Sequence, residues 1–247
     1  MGKPRRPLDE ATRSEGENMV HVSAPGRGGI IGNPSDIYGG SVVSCTIPER
    51  AEVVVCSSPK LIFDVYGQYQ VVEDEGGLAF DDDLHFLNVA KAVWRYLCKS
   101  SLAKEGRIDP KATFILRAES SIPLKAGCAG STAVLMCCLA GLLEHFGVQV
   151  GVYELAEMAR FIERYEMGVH CGYQDQYMVA FGGLNYVDLR GKEDHGTGRE
   201  EPFATVEPLA EHVSVLPFVL ANTGVQRSSG VFHAEPRRRW ENGDPKR

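Results

Sequence analysis

An α+β fold, with helices stacked on a mostly antiparallel sheet, is what this 247-residue sequence predicts, and three features predict it. β-Branched runs of strand length crowd the first quarter of the chain, and their short Pro- or Ser-containing connections suit antiparallel neighbours. Helical spacing of apolar residues takes over in the middle. Strand-like runs then return, so the order is strands, helix, strand, helix, helix, strands, which reads as α+β.

The elements follow in order. The opening strands are expected over Met19 to Ala24, Ser41 to Ile47, Ala51 to Ser57 and Lys60 to Tyr66. "DDDLHFLNVAKAVWRYLCK" then places Phe86, Ala90, Val93 and Leu97 on one helical stripe. Its leading Asp81, Asp82 and Asp83 fit a first helical turn, where capping and the macrodipole favour acids, better than a metal cluster. Ala112 to Ala118 reads as another strand. Ser131 to about Phe146 is apolar on every side and predicts a buried helix. A second helix over about Val152 to Glu166 puts Leu155, Met158, Ala159 and Ile162 on one face. "FGGLNYVDLRG" gives a turn and a strand, "GKEDHGTGREE" a polar loop, and "HVSVLPFVLANTG" a further strand. Residues 1–18 are polar and charged and read as a disordered extension, residues 19–230 as one folded domain, and residues 231–247 as the start of a helical segment whose continuation is absent.

Composition excludes some functions. A hydrophobic content of 43% is ordinary for a soluble globular chain, and a formal net charge of −7 argues against nucleic-acid binding, which draws on clustered Lys and Arg. The basic stretches "KPRRP" and "RRRW" are short and suit solvated ends. Cys45, Cys56, Cys98, Cys128, Cys137, Cys138 and Cys171 form an odd set without CxxC pairs, which fits reduced, buried thiols in a cytoplasmic protein. No apolar run approaches the ~18 to 20 residues that cross a bilayer, so no membrane partner is expected.

Three glycine-rich segments carry the chemistry. "SSIPLKAGCAGSTAVLMCC", from Ser120, follows a strand and opens the apolar helix at Ser131. Free N–H groups and the dipole at a helix mouth attract an anion, and glycines let phosphate oxygens approach the main chain. A tight turn packed on the sheet would use the same residues. The segment lacks the Lys-Ser/Thr pair of a Walker A loop, but Ser131 and Thr132 offer hydroxyls to a phosphate or its Mg²⁺, and Lys125 is the nearest fixed positive charge. Upstream, "APGRGGIIGNPSDIYGG" suggests an extended loop lining a site, with Arg27 available to phosphate or carboxylate and Asp36 either accepting from hydroxyl groups or capping a turn. The third segment, "IERYEMGVHCGYQDQYMVAFGG", holds Glu163, Glu166, His170, Gln174 and Asp175. Asp175 is a candidate base there, or the N-cap of a helix over Gln176 to Phe181. His170 and Cys171 lack the further ligands a metal site needs.

Together these segments resemble the motifs of the GHMP kinases. Pro25, Gly26, Arg27, Gly32, Asp36, Gly39 and Gly40 match a first motif of the form PGRxxxxGxxxDxxGG. Pro123, Gly127, Ser131, Thr132 and Ala133 match PxxxGLxxSSA, with Cys128 in place of leucine and Thr132 in place of serine. Glu163 followed by Gly172, Asp175, Gln176, Tyr177, Phe181, Gly182 and Gly183 matches the third region. The variants "GNPSD", "AGST" and "QDQY" are more similar to kinases of glucuronate and of heptose phosphates than to mevalonate-type enzymes, the glucuronate branch most of all.

The resemblance implies an N-terminal ATP-binding domain that transfers the γ-phosphoryl of ATP, with Mg²⁺, to a hydroxyl of a small sugar or sugar acid. It places the nucleotide on Pro123, Lys125, Ala126, Gly127, Cys128, Ala129, Gly130, Ser131 and Thr132, and Mg²⁺ near Ser131 and Glu163. Asp175 and Arg27 would serve the reacting centre, and Asp36, Tyr38, Gly39, Gly40 and Gln174 the acceptor. The family's C-terminal ferredoxin-like domain is largely absent from a chain ending at Arg247, which leaves the alternative of a truncated, non-catalytic nucleotide- or sugar-binding relative.

Overall fold

One long strand organises the sheet. In the computed structural model, which describes residues 19–81, 85–192, 203–213, 217–224 and 238–239, β1 (Val20–Ile31) and β2 (Ser41–Ser57) run antiparallel from Val20 opposite Val55 to Ile31 opposite Val43. The sequence predicted two strands, Ser41–Ile47 and Ala51–Ser57, where there is one. Pro48 falls where the register shifts between the pairs Pro25–Arg50 and Arg27–Thr46. Proline has no N–H for a ladder, so a strand carries it only where the ladder is already interrupted. The other edge of β2 is shared, Ser41–Cys45 pairing with β6 (Leu184–Asp188) and Ala51–Ser57 with β5 (Phe114–Ser120).

β3 (Leu61–Val65) lies beyond β5 and parallel to it, not against β2 as sequence order suggested. β4 (Gln68–Val72), which polar alternation hid from the sequence reading, folds back on β3 through Tyr66 and Gly67. Both turn residues have positive φ (54° and 76°), as a two-residue type I′ hairpin requires. β7 (Thr205–Pro208) completes the order β4-β3-β5-β2-β6-β7. None of the described residues of the strand expected over His212–Gly224 is in a strand: residues 217–224 have no regular secondary structure, with Val219 94% exposed. The edge of β6 is held instead by β7, Asn185–Asp188 pairing with Thr205–Pro208. Residues 214–216 lie outside the described residues, as do residues 1–18, most of 231–247 and most of the polar loop after Gly191.

The helices are α1 (His85–Lys99), α2 (Ser101–Lys104), α3 (Gly130–His145), α4 (Val152–Phe161) and α5 (Gln174–Phe181). α3 packs across β1, β2 and β5, α1 on β3, and α5 on β1 and β2. Alternation on the strands supplies the opposing face, with Leu61, Phe63 and Val65 on β3 and Phe114, Leu116 and Ala118 on β5 all buried. Trp94 sits edge-on to Phe114 at 4.9 Å between ring centroids and stacks on Phe146 at 5.9 Å. Each large side chain removed from water this way stabilises the fold by roughly 1.5–3 kcal/mol.

α4 stops at Phe161, short of the predicted Glu166, and continues as a π-helical turn over Ile162–Glu166. The wider turn carries Glu163 into the interior beside Ile162. Asp82 and Asp83 lie outside the described residues, while the backbone of Asp81 is paired with the Asn88 side chain, N–H to Oδ1 at 3.1 Å and C=O from Nδ2 at 2.8 Å. No helix among the described residues is long and apolar enough to cross a membrane.

Candidate active site

The loop that joins β5 to α3 alternates in backbone sign. Lys125, Gly127 and Ala129 have φ of 54°, 75° and 57°, with residues of ordinary φ between them. Such alternation turns successive N–H groups toward one concavity, an anion-binding nest. Ala129, the N-cap of α3, makes no side-chain cap bond, and Ala133 is the first residue to donate back, to the Ala129 carbonyl at 2.9 Å. The amides of Gly130, Ser131 and Thr132 therefore have no partner within the helix and face its mouth. Lys125, Gly127 and Ser131 are exposed there, and Thr132 is buried behind them. The mouth is not filled by side chains at Gly127, where a Cβ would meet nothing within 4 Å.

Arg27 ties this loop to the rest of the site. The "PGRGG" stretch is not the extended loop that its glycines suggested: residues 24–31 are strand, and only residues 32–40 form a loop, with a 3₁₀ turn over Ser35–Tyr38. Gly26 serves close approach, since a Cβ on it would lie 2.8 Å from the Cys128 carbonyl oxygen. The strand can thus dock on the loop, and the Arg27 N–H donates to that same carbonyl at 3.1 Å. Arg27 is 8% exposed, and its guanidinium turns two ways. Its Nη1 donates to the Gly127 carbonyl at 3.0 Å, while Nε and Nη2 reach Asp175 Oδ1 at 2.7 and 2.5 Å. Burial opposes the charge on Arg27, but the hydrogen-bonded Asp175 carboxylate, with Asp36 and Cys128, outweighs it and holds the guanidinium above its usual range.

Asp175 lies in the first turn of α5 rather than at its N-cap, which is Tyr173. Behind it, Glu163 joins three elements. Its Oε2 accepts from the Thr132 hydroxyl at 3.1 Å and from Gln176 Nε2 at 2.6 Å, linking α3, α5 and the π-helical turn. Burial, with Asp175 close by, pushes this carboxyl up to about 7 although both hydrogen bonds favour its charge. Among the described residues no cluster of three or more His, Cys, Asp or Glu side chains could hold a metal by itself. Ser131 is exposed at the mouth, and Glu163 is buried and bonded to Thr132 and Gln176.

The residues expected at an acceptor are less exposed than predicted. Asp36 is buried under α5, its Oδ2 taken by the amides of Tyr173 and Gln174. Gln174 is buried too, and its Nε2 donates to the Ser44 hydroxyl. Tyr38 is half-buried on the 3₁₀ turn, and Gly39 and Gly40 close that turn, a Cβ on Gly40 falling 2.7 Å from the Ser35 Cβ. Pro123 is half-buried at the start of the loop. Gln176 was visible to sequence reasoning only as a motif match, and its hold on Glu163 needs the π-helical turn that no periodicity shows.

Residues 88–183, which hold the nest, Glu163 and Asp175, match the family model for the GHMP kinases N terminal domain. That stretch is similar to a GHMP kinase N-terminal domain. The chain is 27% identical over 178 residues to the D-glycero-alpha-D-manno-heptose 7-phosphate kinase of Campylobacter jejuni, covering 69% of this chain and 50% of that one. It is 28% identical over 238 residues to Glucuronokinase 1 of Arabidopsis thaliana, covering 87% of this chain and 60% of the relative. The chain therefore spans roughly half the length of these curated relatives. The fold is also that of a D-glycero-D-manno-heptose 1-phosphate kinase from Bacteriodes thetaiotaomicron, with a TM-score of 0.62 at 24% identity over 78% of this chain and 60% of that structure.

Proposed function

We propose that this domain binds ATP with Mg²⁺ on the Lys125–Thr132 nest and serves transfer of the γ-phosphoryl group to a hydroxyl of a sugar or sugar acid, in the cytoplasm. One observation carries the reading: Arg27 bonds simultaneously to the nest, through the Gly127 carbonyl, and to a carboxylate beside it, Asp175. A phosphate acceptor and a potential base are thereby fixed relative to each other by a single buried side chain. Phosphoryl transfer asks for this kind of positioning and charge neutralisation more than for covalent chemistry.

In this reading the nest amides and the mouth of α3 hold the phosphates, and Lys125 adds a positive charge at the rim. Mg²⁺, when bound, neutralises phosphate charge, and Ser131 with Glu163 would hold it. Asp175 orients the acceptor hydroxyl and takes its proton late, while Arg27 keeps the carboxylate in place and opposes the charge that builds up near it. The heptose-phosphate and glucuronate kinases among the relatives support a sugar bearing an anionic group as the acceptor.

Ser131→Ala removes an exposed hydroxyl without touching the core, and it is expected to weaken Mg-ATP binding by about tenfold with an unchanged melting temperature. Calorimetry with Mg-ATP and with ATP in EDTA tests this, and equal affinity for the two proteins would count against the nest. Coupled detection of ADP with glucuronate, galacturonate and heptose phosphates then tests transfer. Nucleotide binding without ADP formation on any of them would leave a binding module.

A further inference from the structure

Asp36 is 6% exposed and lies beneath the start of α5. Its Oδ2 accepts the backbone N–H of Tyr173 at 3.1 Å and that of Gln174 at 3.2 Å. The chain can come this close only because the preceding residue has no side chain: a Cβ on Gly172 would lie 1.9 Å from that oxygen. From elsewhere in the fold the ring of Tyr173 is held by two cations, the Arg160 guanidinium at 4.6 Å from the centroid and the Lys192 ammonium at 4.9 Å. Lys192 is itself fixed, donating to Glu157 Oε1 at 2.6 Å. The amides and the ring at the head of α5 are thus gripped separately, and Asp175 comes two residues after Tyr173.

A carboxylate that reads a substrate hydroxyl must offer lone pairs to open space, whereas this one offers Oδ2 to its own backbone, inside the fold. An acid at this place also satisfies amides that the helix cannot and complements its dipole. We infer that Asp36 is a positioning residue, which anchors the head of α5 and so sets Asp175 beside Arg27 and the nest. Its effect on turnover rests on the phosphotransfer reading above, but its effect on the Arg27–Asp175 pair does not.

The test uses Asp36→Ala, Asp36→Asn and Gly172→Ala in the full chain, with proton–nitrogen NMR beside steady-state kinetics. In Asp36→Ala, amide exchange at Tyr173 and Gln174 is expected to speed by about tenfold or more, and the Arg27 Nε–H signal to lose its protection. The turnover number falls by on the order of 10- to 100-fold, as a displaced catalytic group predicts, with the acceptor KM within about twofold. Asp36→Asn, whose amide oxygen still accepts both bonds, recovers part of each effect. Gly172→Ala, which drives a methyl into the same oxygen, reproduces the loss without removing a polar group. Should Asp36→Ala fail to fold, Asp36→Asn and Gly172→Ala give the same readouts. An acceptor KM raised about tenfold, with turnover and the Arg27 signal unchanged, would overturn the inference in favour of direct contact with the acceptor. If no acceptor is phosphorylated, the transfer reading fails while the Arg27 and amide signals still decide the role of Asp36: unchanged signals in Asp36→Ala reject it.

Discussion

Asp175→Asn is expected to lower turnover by about 100-fold or more while the domain still folds. The substitution keeps a side-chain oxygen where Arg27 Nε and Nη2 now donate, so the geometry of the pair can persist. What it removes is the negative charge and the ability to accept a proton, worth about 10²- to 10⁴-fold for a positioned acid or base. Taking the charge partner from a residue as buried as Arg27, 8% exposed, also costs stability. The loss is expected to be about 1–3 kcal/mol, the range for a buried group deprived of a charged partner, and it is kept below the figure for a fully orphaned ion because Asp36 also acts on Arg27 through space. Kinetics on the sugar acids, with a thermal melt of the same preparation, check both. Turnover like that of the wild type would remove Asp175 from the chemistry, and unfolding would instead show that the pair is chiefly structural.

The loop between β5 and α3 was legible because its turns rest on local backbone chemistry, which a sequence displays, whereas the same glycine signal before Ile31 concealed a strand. Helix α3 was legible for a related reason: its residues from Thr132 to Leu143 are apolar or small on nearly every side, a pattern only an interior helix tolerates. Pro48 misled because its meaning depends on a neighbour. Proline at a hairpin and proline at a break in a ladder look alike until β1 is seen to shift register opposite it. The π-helical turn at Ile162–Glu166 left no periodic trace, yet it turns Glu163 toward Thr132 and Gln176. Lys192 is another such residue. It stands in a polar stretch that reads as loop, and only the packed fold shows its ammonium against the rings of Tyr173 and Tyr177. Asp36 shows the same limit from the other side, since a motif names the residue but not whether its carboxylate faces the cleft or the chain.

Glu163 gives the second large effect, a change in how stability depends on pH. Its carboxyl is pushed up to about 7 in the folded protein, from 4.5 for the free side chain, first by burial and then by the neighbouring charge of Asp175. Between those values the native state binds more protons than the unfolded one, so stability falls as pH rises. The contribution is fully present below about 4.5 and is lost as pH climbs through about 7, a total of about 3 kcal/mol. Glu163→Gln has the same shape and no charge, and it should abolish this slope. Its new amide need not be left without a partner, because Gln176 Oε1 is buried and unbonded, and turning that side chain over offers an acceptor. Urea unfolding across this range should therefore find the variant level with wild type near pH 4.5 and more stable by up to about 3 kcal/mol near pH 8. Mg-ATP should flatten the wild-type slope, since a cation beside Glu163 favours the ionised form, and it should do much less to the variant. Parallel pH profiles for the two proteins would mean that Glu163 is already ionised in the apo fold. A slope unaffected by Mg-ATP would mean that the cation is held elsewhere.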